Sequence, residues 1–104
     1  MSGVVIEEFR PIIRNTLRGF ARVRMPSGVI FHDVSVHQKG EILWASPPSK
    51  PAMGRDGSQI KRDGKLTWAP IITFATKEVR DSFSSAVVNA LRAARPEVFD
   101  APGK

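Results

Sequence analysis

The 104-residue sequence contains no cysteine and no tyrosine. The lack of cysteine excludes disulfides, cysteine-ligated zinc, iron–sulfur clusters and thiol nucleophiles. No apolar run approaches the ~18 residues that a membrane-spanning helix needs, and the N-terminus lacks the basic-then-apolar pattern of a signal peptide. We therefore expect an intracellular, cytoplasmic protein with no membrane partner.

The composition is that of one small folded domain. Hydrophobic residues make up 41% of the chain, which is too large a share for intrinsic disorder. A chain of this length falls in the usual range of single domains and can bury roughly two-thirds of its unfolded surface. We therefore expect a core that needs neither a metal nor disulfides.

Five stretches rich in apolar and β-branched residues predict an antiparallel, meander-like sheet. They cover residues 4–13, 20–25, 29–36, 41–45 and 66–74. Pro11 and Pro70 cannot donate a ladder hydrogen bond, so the first and fifth strands must bulge there or lie at an edge. Residues 46–65 hold three prolines and three glycines and are predicted to form a long loop.

The last part of the sequence predicts one helix, from about Lys77 to Arg95. Thr76 is a suitable N-cap, Pro96 stops the helix, and apolar residues recur at helical spacing. The predicted apolar stripe consists of Val79, Phe83, Ala86, Val87, Ala90, Leu91 and Ala94. The predicted fold is a single α+β domain over residues 1–96, a five-stranded antiparallel sheet covered by this amphipathic helix. Residues 97–104 are expected to be a flexible tail.

Basic residues outnumber acidic ones by 16 to 10, and half of this excess lies in residues 50–65, which hold five basic and two acidic residues. The five are Lys50, Arg55, Lys61, Arg62 and Lys65. Such a segment attracts polyanions, so these side chains are predicted to bind the phosphates of a nucleic acid. A docking site for an acidic protein is the alternative.

Arg22 and Arg24 alternate with Phe20 along the second predicted strand and would extend the basic surface. Guanidinium groups suit phosphate oxygens, and exposed aromatic rings stack on unpaired bases. A solvated polar sheet face beside a flexible basic loop would give the same pattern. The sequence also leaves open whether Trp44 and Trp68 are core or contact residues, although tryptophan at strand ends is more often core.

Residues that could carry catalysis or bind a metal are few. His32 and His37 are five residues apart, which places them on opposite faces of a strand. We expect His32 to be buried or hydrogen-bonded and His37 to lie exposed in a turn. An enzyme that uses His32 and Asp33 is the weakest hypothesis. We predict no catalytic residue, no metal, no cofactor and no small-molecule substrate.

The loop contains the sequence Gly54-Arg55-Asp56-Gly57, which superficially matches the GXXG clamp of KH domains. In KH domains this loop joins two helices. Here the preceding segment holds Pro47, Pro48 and Pro51 and cannot form the required helix. We therefore interpret the four residues as a turn.

Longer stretches, VIFHDVSV, ILWASPPSKP and PIITFATKEVRDSFSSAVVNAL, resemble the SpoVG family of bacterial septation and sporulation regulators. The matching positions are His32-Asp33, Pro48-Ser49-Lys50, Pro70-Ile71 and Thr76 through Val79-Arg80. The resemblance covers about residues 5–92. It implies a small α+β domain that dimerises by sheet extension and binds DNA, and also RNA, as a transcription regulator.

The resemblance implies Lys50, Arg80 and Arg92 as nucleic-acid-binding residues, because the family binds through basic residues near its C-terminal helix and the adjoining loops. The loop between Lys50 and Pro70 is longer and more basic than the usual family version, and it holds an extra Trp68. We therefore expect the loop to take a larger part in binding. The leading hypothesis is a homodimeric nucleic-acid-binding regulator, and the alternative is a protein–protein interaction module.

Overall fold

The computed structural model describes residues 3–99 of the chain. The strands are β1 (Val5–Arg14), β2 (Leu17–Arg24), β3 (Ile30–Lys39), β4 (Ile42–Ser46), β5 (Ser49–Pro51), β6 (Lys61–Arg62), β7 (Lys65–Leu66) and β8 (Trp68–Pro70). Helix α1 spans Lys77–Ala94, and a short 3-10 helix spans Pro96–Val98. Strands β1 to β4 form one antiparallel sheet in the order β1-β2-β3-β4, so the fold is α+β as predicted.

Helix α1 packs on one face of the four-stranded sheet and closes the core. The strands have period two, so alternate residues of β2 and β3 point toward the helix. The sheet supplies the buried residues Phe9, Ala21, Val23, Val34, Val36 and Ala45, and the helix supplies Phe83, Val87, Val88 and Leu91. The predicted stripe is confirmed at positions 83, 87 and 91, whereas Val79 and Ala94 are exposed and the buried Val88 lies outside the predicted stripe.

The helix begins and ends close to the predicted residues. The Thr76 hydroxyl accepts a hydrogen bond from the Val79 N–H at 3.2 Å, which caps the first turn. Ser84 Oγ accepts the backbone N–H of Ala45 at 2.8 Å. Ala45 lies on β4, an edge strand of the sheet, so this bond gives its backbone N–H a partner. The same bond fixes the helix over β4.

The chain after the helix differs in part from the predicted tail. Residues 97 and 98 belong to the 3-10 helix, and Phe99 is buried in the core. The amide of Gln38, a buried side chain, donates to the Phe99 carbonyl at 3.3 Å and to the Gly40 carbonyl at 3.1 Å. Residues 97–99 are therefore packed on the domain, and the rest of the predicted tail, residues 100–104, lies outside the described residues.

The prediction of a five-stranded sheet is wrong. Of the expected fifth strand, residues 66–74, the only β-structure is Leu66, the end of β7, and Trp68–Pro70, which is β8. Strand β8 pairs with β5 in a separate two-stranded sheet. Proline lacks the N–H that a ladder needs, and residues 47, 48, 51 and 70 are prolines. The chain therefore leaves the main sheet after β4 and forms an arm, residues 47–71, which contains β5 to β8.

Two β-bulges meet at the middle of β2. Residues Glu7 and Glu8 of β1 lie opposite the single residue Arg22, and the register of β3 also shifts beside Arg22, at His32 and Asp33. Asp33 has a φ of +58°, in the left-handed region. A bulge re-aims the side chains of the bulged strand. The β1 bulge places Glu7 and Glu8 beside Arg22, and Asp33 in the β3 bulge pairs with Arg10.

The described residues contain one α-helix, and it is not apolar enough over its length to span a membrane.

Candidate nucleic-acid interface

The predicted long loop is an ordered arm made of short β-pairs. At its base β5 pairs with β8, and further out β6 pairs with β7. Backbone hydrogen bonds join the two levels, from Ala52 N to the Thr67 carbonyl (2.9 Å) and from Ile60 N to the Ala52 carbonyl (2.9 Å). Asp63 and Gly64, both at positive φ, form the two-residue turn between β6 and β7, as Asp-Gly does in type I′ hairpins. Backbone hydrogen bonds therefore fix the positions from which the side chains of the arm project.

The Gly54–Gly57 segment is a turn, as predicted, and not a KH-type loop between helices. The Gly57 N–H donates to the Gly54 carbonyl at 3.0 Å, and the Gly54 N–H donates to the Ser58 carbonyl at 2.7 Å. The carboxylate of Asp56 accepts from both the hydroxyl (2.6 Å) and the backbone N–H (3.0 Å) of Ser58. These hydrogen bonds lower the pKa of Asp56. The turn presents Arg55 to solvent.

The five predicted phosphate-binding residues of the arm are all exposed. They are Lys50 on β5, Arg55 in the turn, Lys61 and Arg62 on β6, and Lys65 on β7. Within residues 3–99 none of the five forms an ion pair. The five basic side chains of the arm therefore have no carboxylate partner among the described residues.

Arg22 and Arg24, which were predicted to extend this surface, are paired with acidic residues of β1. Arg22 Nε lies 3.4 Å from Glu7 Oε1, Arg22 Nη1 lies 3.5 Å from Glu8 Oε1, and Arg24 Nη1 lies 3.4 Å from Glu7 Oε2. The β1 bulge places both glutamates beside Arg22. Two carboxylates between two guanidinium groups leave no excess positive charge at this place, so this pair attracts a polyanion less than the arm does.

Arg80 and Arg92, the candidates on the helix, are exposed and lie three turns apart. Arg80 Nε lies 3.8 Å from Asp81 Oδ1, whereas Arg92 has no ion pair within the described residues. Arg80 also lines a small groove of about 370 Å³ at the start of the helix, together with Lys77 and with Pro47 at the base of the arm. The structure therefore places Arg80 next to the arm.

A groove of about 550 Å³ lies between the arm and the sheet face opposite the helix. Its sheet side is a cross-strand row in which Phe20 of β2 is paired with Arg10 on one side and Ser35 on the other. The Arg10 guanidinium lies 5.9 Å from the centre of the Phe20 ring and donates to Asp33 Oδ1 at 2.7 Å. The remaining lining residues are Ile12, Pro47, Pro48, Ser49, Trp68 and Ile71.

The two tryptophans have different environments. Trp68, in the wall of the groove, is 60% exposed. Trp44 is half-buried and stacks on His37, with ring centres 5.2 Å apart and planes 5° apart. The expectation that a tryptophan at a strand end is a core residue is therefore wrong for Trp68, because the short strands of the arm hold it at the surface.

The predictions for the two histidines are reversed. His32 is exposed, and His37 is a half-buried residue of β3, because that strand extends to Lys39. His37 Nδ1 lies 3.0 Å from the Thr16 hydroxyl, and its Nε2 lies 3.1 Å from the Ser35 hydroxyl. Burial, with a smaller contribution from the charge of Arg18, lowers the pKa of His37. Residues 3–99 contain no group of three His, Asp or Glu side chains that could hold a metal ion.

Several positions that carry the resemblance to the SpoVG family come together at the groove. Asp33, Pro48, Ser49 and Ile71 all line it, and the Ile71 N–H donates to the Pro48 carbonyl at 3.4 Å. Comparisons of the chain with protein-family models, with curated proteins and with solved structures found no match. Membership of that family therefore stays a prediction.

The groove is the feature that sequence reasoning missed. The sequence shows its parts separately, as the alternation of Phe20 with arginines and as the proline-rich segment around Pro48. Their proximity depends on how the arm folds back over the sheet, which no local pattern specifies. The one sequence feature that pointed to a binding surface here was Trp68, a large aromatic residue beside a segment with five basic residues.

Proposed function

We propose that this protein binds nucleic acid, DNA or RNA, and that the arm makes the main contacts with the phosphates. The observation that carries the proposal is that all five basic side chains of the arm are exposed and lack an ion pair within residues 3–99. A cluster of unpaired cations on a small protein of net charge +6 favours a polyanionic partner. The resemblance to the SpoVG family supports a regulatory role for this binding.

The contributions of the other candidate residues are expected to be smaller. Arg80 and Arg92 can extend the contact along the helix, since both are exposed. Arg22 and Arg24 would have to give up their pairing with Glu7 and Glu8, or share it, before they could bind a phosphate. Their replacement should therefore weaken binding less than replacement of arm residues.

Salt dependence measures the number of phosphate contacts. If all five arm cations bind phosphates, the slope of log K against log[salt] should be roughly −3.5 for a single strand and −4.5 for a duplex. Fluorescence anisotropy of a labelled 20-nucleotide single strand, the matching duplex and the matching RNA, between 50 and 300 mM salt, gives these slopes. Absence of binding at low salt, or a slope near zero, would refute the proposal.

A matched pair of double variants tests whether the arm, and not the net charge, is responsible. The variants Lys61→Gln with Arg62→Gln and Arg14→Gln with Lys39→Gln each remove two exposed positive charges. The arm variant should reduce the magnitude of the slope by about 1.4 to 1.8. The control variant should change it by much less, because Arg14 and Lys39 lie at the hairpin end of the sheet and outside the arm.

We also propose that the chain forms a homodimer through β1. This strand is one edge of the four-stranded sheet, and its exposed apolar residues include Val5 and Ile13, neither of which lines the groove. Pairing two β1 edges would satisfy free backbone groups and cover these side chains. Sedimentation equilibrium at tens of micromolar should give about twice 11.5 kDa, and a mass near 11.5 kDa would contradict this proposal.

The alternative function is docking of an acidic protein partner on the arm or on the β1 edge. The exposed apolar residues of β1 favour it, because an added strand could cover them. A partner that is captured equally well before and after nuclease treatment, and lost in the Lys61→Gln, Arg62→Gln variant, would favour this function over nucleic-acid binding.

A further inference from the structure

We propose that the groove between the arm and the sheet receives an unpaired nucleobase, which stacks on Trp68 opposite Phe20. This inference rests on the proposed function and makes it more specific, because it assigns single-stranded nucleic acid as the preferred ligand. The arm cations would hold the phosphates, and the groove would hold the base. A site of about 550 Å³ falls in the usual size range of pockets for small organic ligands.

The exposure of apolar groups around the groove indicates a binding surface. Trp68 is 60% exposed, Ile71 57% and Ile12 41%, and all three line the same groove. Apolar side chains that cluster at the surface, unlike single scattered ones, mark a site that a partner covers. The indole of Trp68 is the largest of these side chains and offers a flat face, which suits a planar ring.

The polar groups of the groove and the charge around it favour a nucleobase over an apolar peptide. The pair of Arg10 and Asp33 supplies both a donor and an acceptor at the sheet side, and Ser35 and Ser49 add hydroxyl groups. The edge of a base carries donors and acceptors that such groups can bind. The strand that pairs with Trp68 also carries Lys50, which is exposed and positively charged. An apolar peptide would use the isoleucines but none of this charge.

A base within a duplex cannot enter the groove, because both of its faces are stacked on neighbouring bases. Stacking on an aromatic side chain contributes only when the base is unpaired. The groove should therefore add affinity for a single strand and none for a duplex, whereas the arm cations should bind both through their phosphates. This difference separates the two parts of the proposed interface experimentally.

The test compares the variant Trp68→Leu with Ile42→Ala, a control that truncates another exposed apolar residue outside the groove. Anisotropy at one fixed salt concentration is measured with a single strand, the matching duplex, and a single strand of abasic sites with the same phosphates. Trp68→Leu should lower the affinity for the single strand about 5- to 150-fold. It should leave binding of the duplex and of the abasic strand within twofold, and Ile42→Ala should leave all three unchanged.

Tryptophan emission gives a second readout that is independent of affinity. In a Trp44→Phe variant Trp68 is the sole tryptophan, since the chain has two, and its emission should be quenched by the single strand but not by the abasic strand. Equal loss of single-strand and duplex binding in Trp68→Leu, or an abasic strand that binds as well as the normal one, would overturn the inference and leave phosphate binding intact. Failure of all three ligands to bind at 50 mM salt would instead refute the proposed function.

Discussion

Replacement of Asp33 separates its two structural roles, a backbone in the left-handed region and an ion pair with Arg10. Its backbone is in the left-handed region at the β3 bulge, with φ at +58°. Its carboxylate binds the Arg10 guanidinium at 2.7 Å, and both side chains are more than half exposed. Asn at this position tolerates the left-handed region but lacks the negative charge. Val lacks the charge and also does not tolerate this region, because its branched Cβ clashes in this backbone conformation.

The expected losses of unfolding free energy follow from these contacts. An exposed ion pair contributes about 0–1 kcal/mol, so Asp33→Asn should lose no more than about 1 kcal/mol. A β-branched residue held in the left-handed region costs about 1–3 kcal/mol in addition. Asp33→Val should therefore lose about 1–4 kcal/mol and lower the unfolding midpoint in urea. Asp33→Gly should lose less than Asp33→Val, because glycine also lacks the ion pair but adopts this φ without strain.

Urea unfolding followed by circular dichroism measures these differences. His32→Val is the matched control, since it places the same side chain at the neighbouring residue of the bulge, whose φ is not positive. It should stay within about 0.5 kcal/mol of the original protein. If Asp33→Asn is as unstable as Asp33→Val, the ion pair and not the backbone conformation governs stability here. If Asp33→Val is as stable as the original protein, the bulge is not required.

Three further perturbations test the packing of the domain. Gly19→Ala would place a Cβ 2.4 Å from Cζ of the Phe9 ring, so the free energy of unfolding in urea should fall by about 1–3 kcal/mol, and an unchanged value would contradict this packing. Ser84→Ala leaves the β4 backbone N–H that its hydroxyl binds without that partner, and should lower the thermal midpoint by an amount that corresponds to about 1–3 kcal/mol; a change below 0.5 kcal/mol would show that water replaces the hydroxyl. Burial and the charge of Arg18 lower the pKa of His37, so the unfolded state binds the proton first as the pH falls below about 6.5. Stability should decrease from there and level off below the pKa of the folded state, and the variant His37→Gln should lose this dependence between pH 7 and 5.

The parts of the fold that could be predicted are those that local patterns determine. The helix and its cap at Thr76 follow from 3.6-residue periodicity and from a hydroxyl that accepts the Val79 N–H. The burial of Ala21 and Val23 on β2, with Arg22 between them, follows from strict alternation. Such features depend on neighbours within a few residues, so one sequence is sufficient to place them.

The parts that could not be predicted depend on register and on long-range contacts. The separation of β8 from the main sheet required knowledge that it pairs with β5, and the prolines only indicated that something interrupts the ladder. The pairing of Arg22 with Glu7 and Glu8 arises from a one-residue shift between β1 and β2. A shift of one residue changes every cross-strand partner, so charge along a strand does not show whether that charge is free.

The distribution of free charge in this domain follows from what its carboxylates do. In the main sheet, bulges bring Glu7 to Arg22 and Asp33 to Arg10, so acidic residues neutralise these two arginines across the strands. In the arm, the acidic residues hold turns: Asp56 accepts two hydrogen bonds from Ser58, and Asp63 occupies a positive-φ turn position. Because both arm carboxylates lie in turns and none forms an ion pair within residues 3–99, the basic side chains of the arm stay unpaired. Carboxylates thus cancel the charges of Arg10, Arg22 and Arg24 on the sheet, whereas on the arm they leave the basic side chains exposed beside Trp68, which is also exposed.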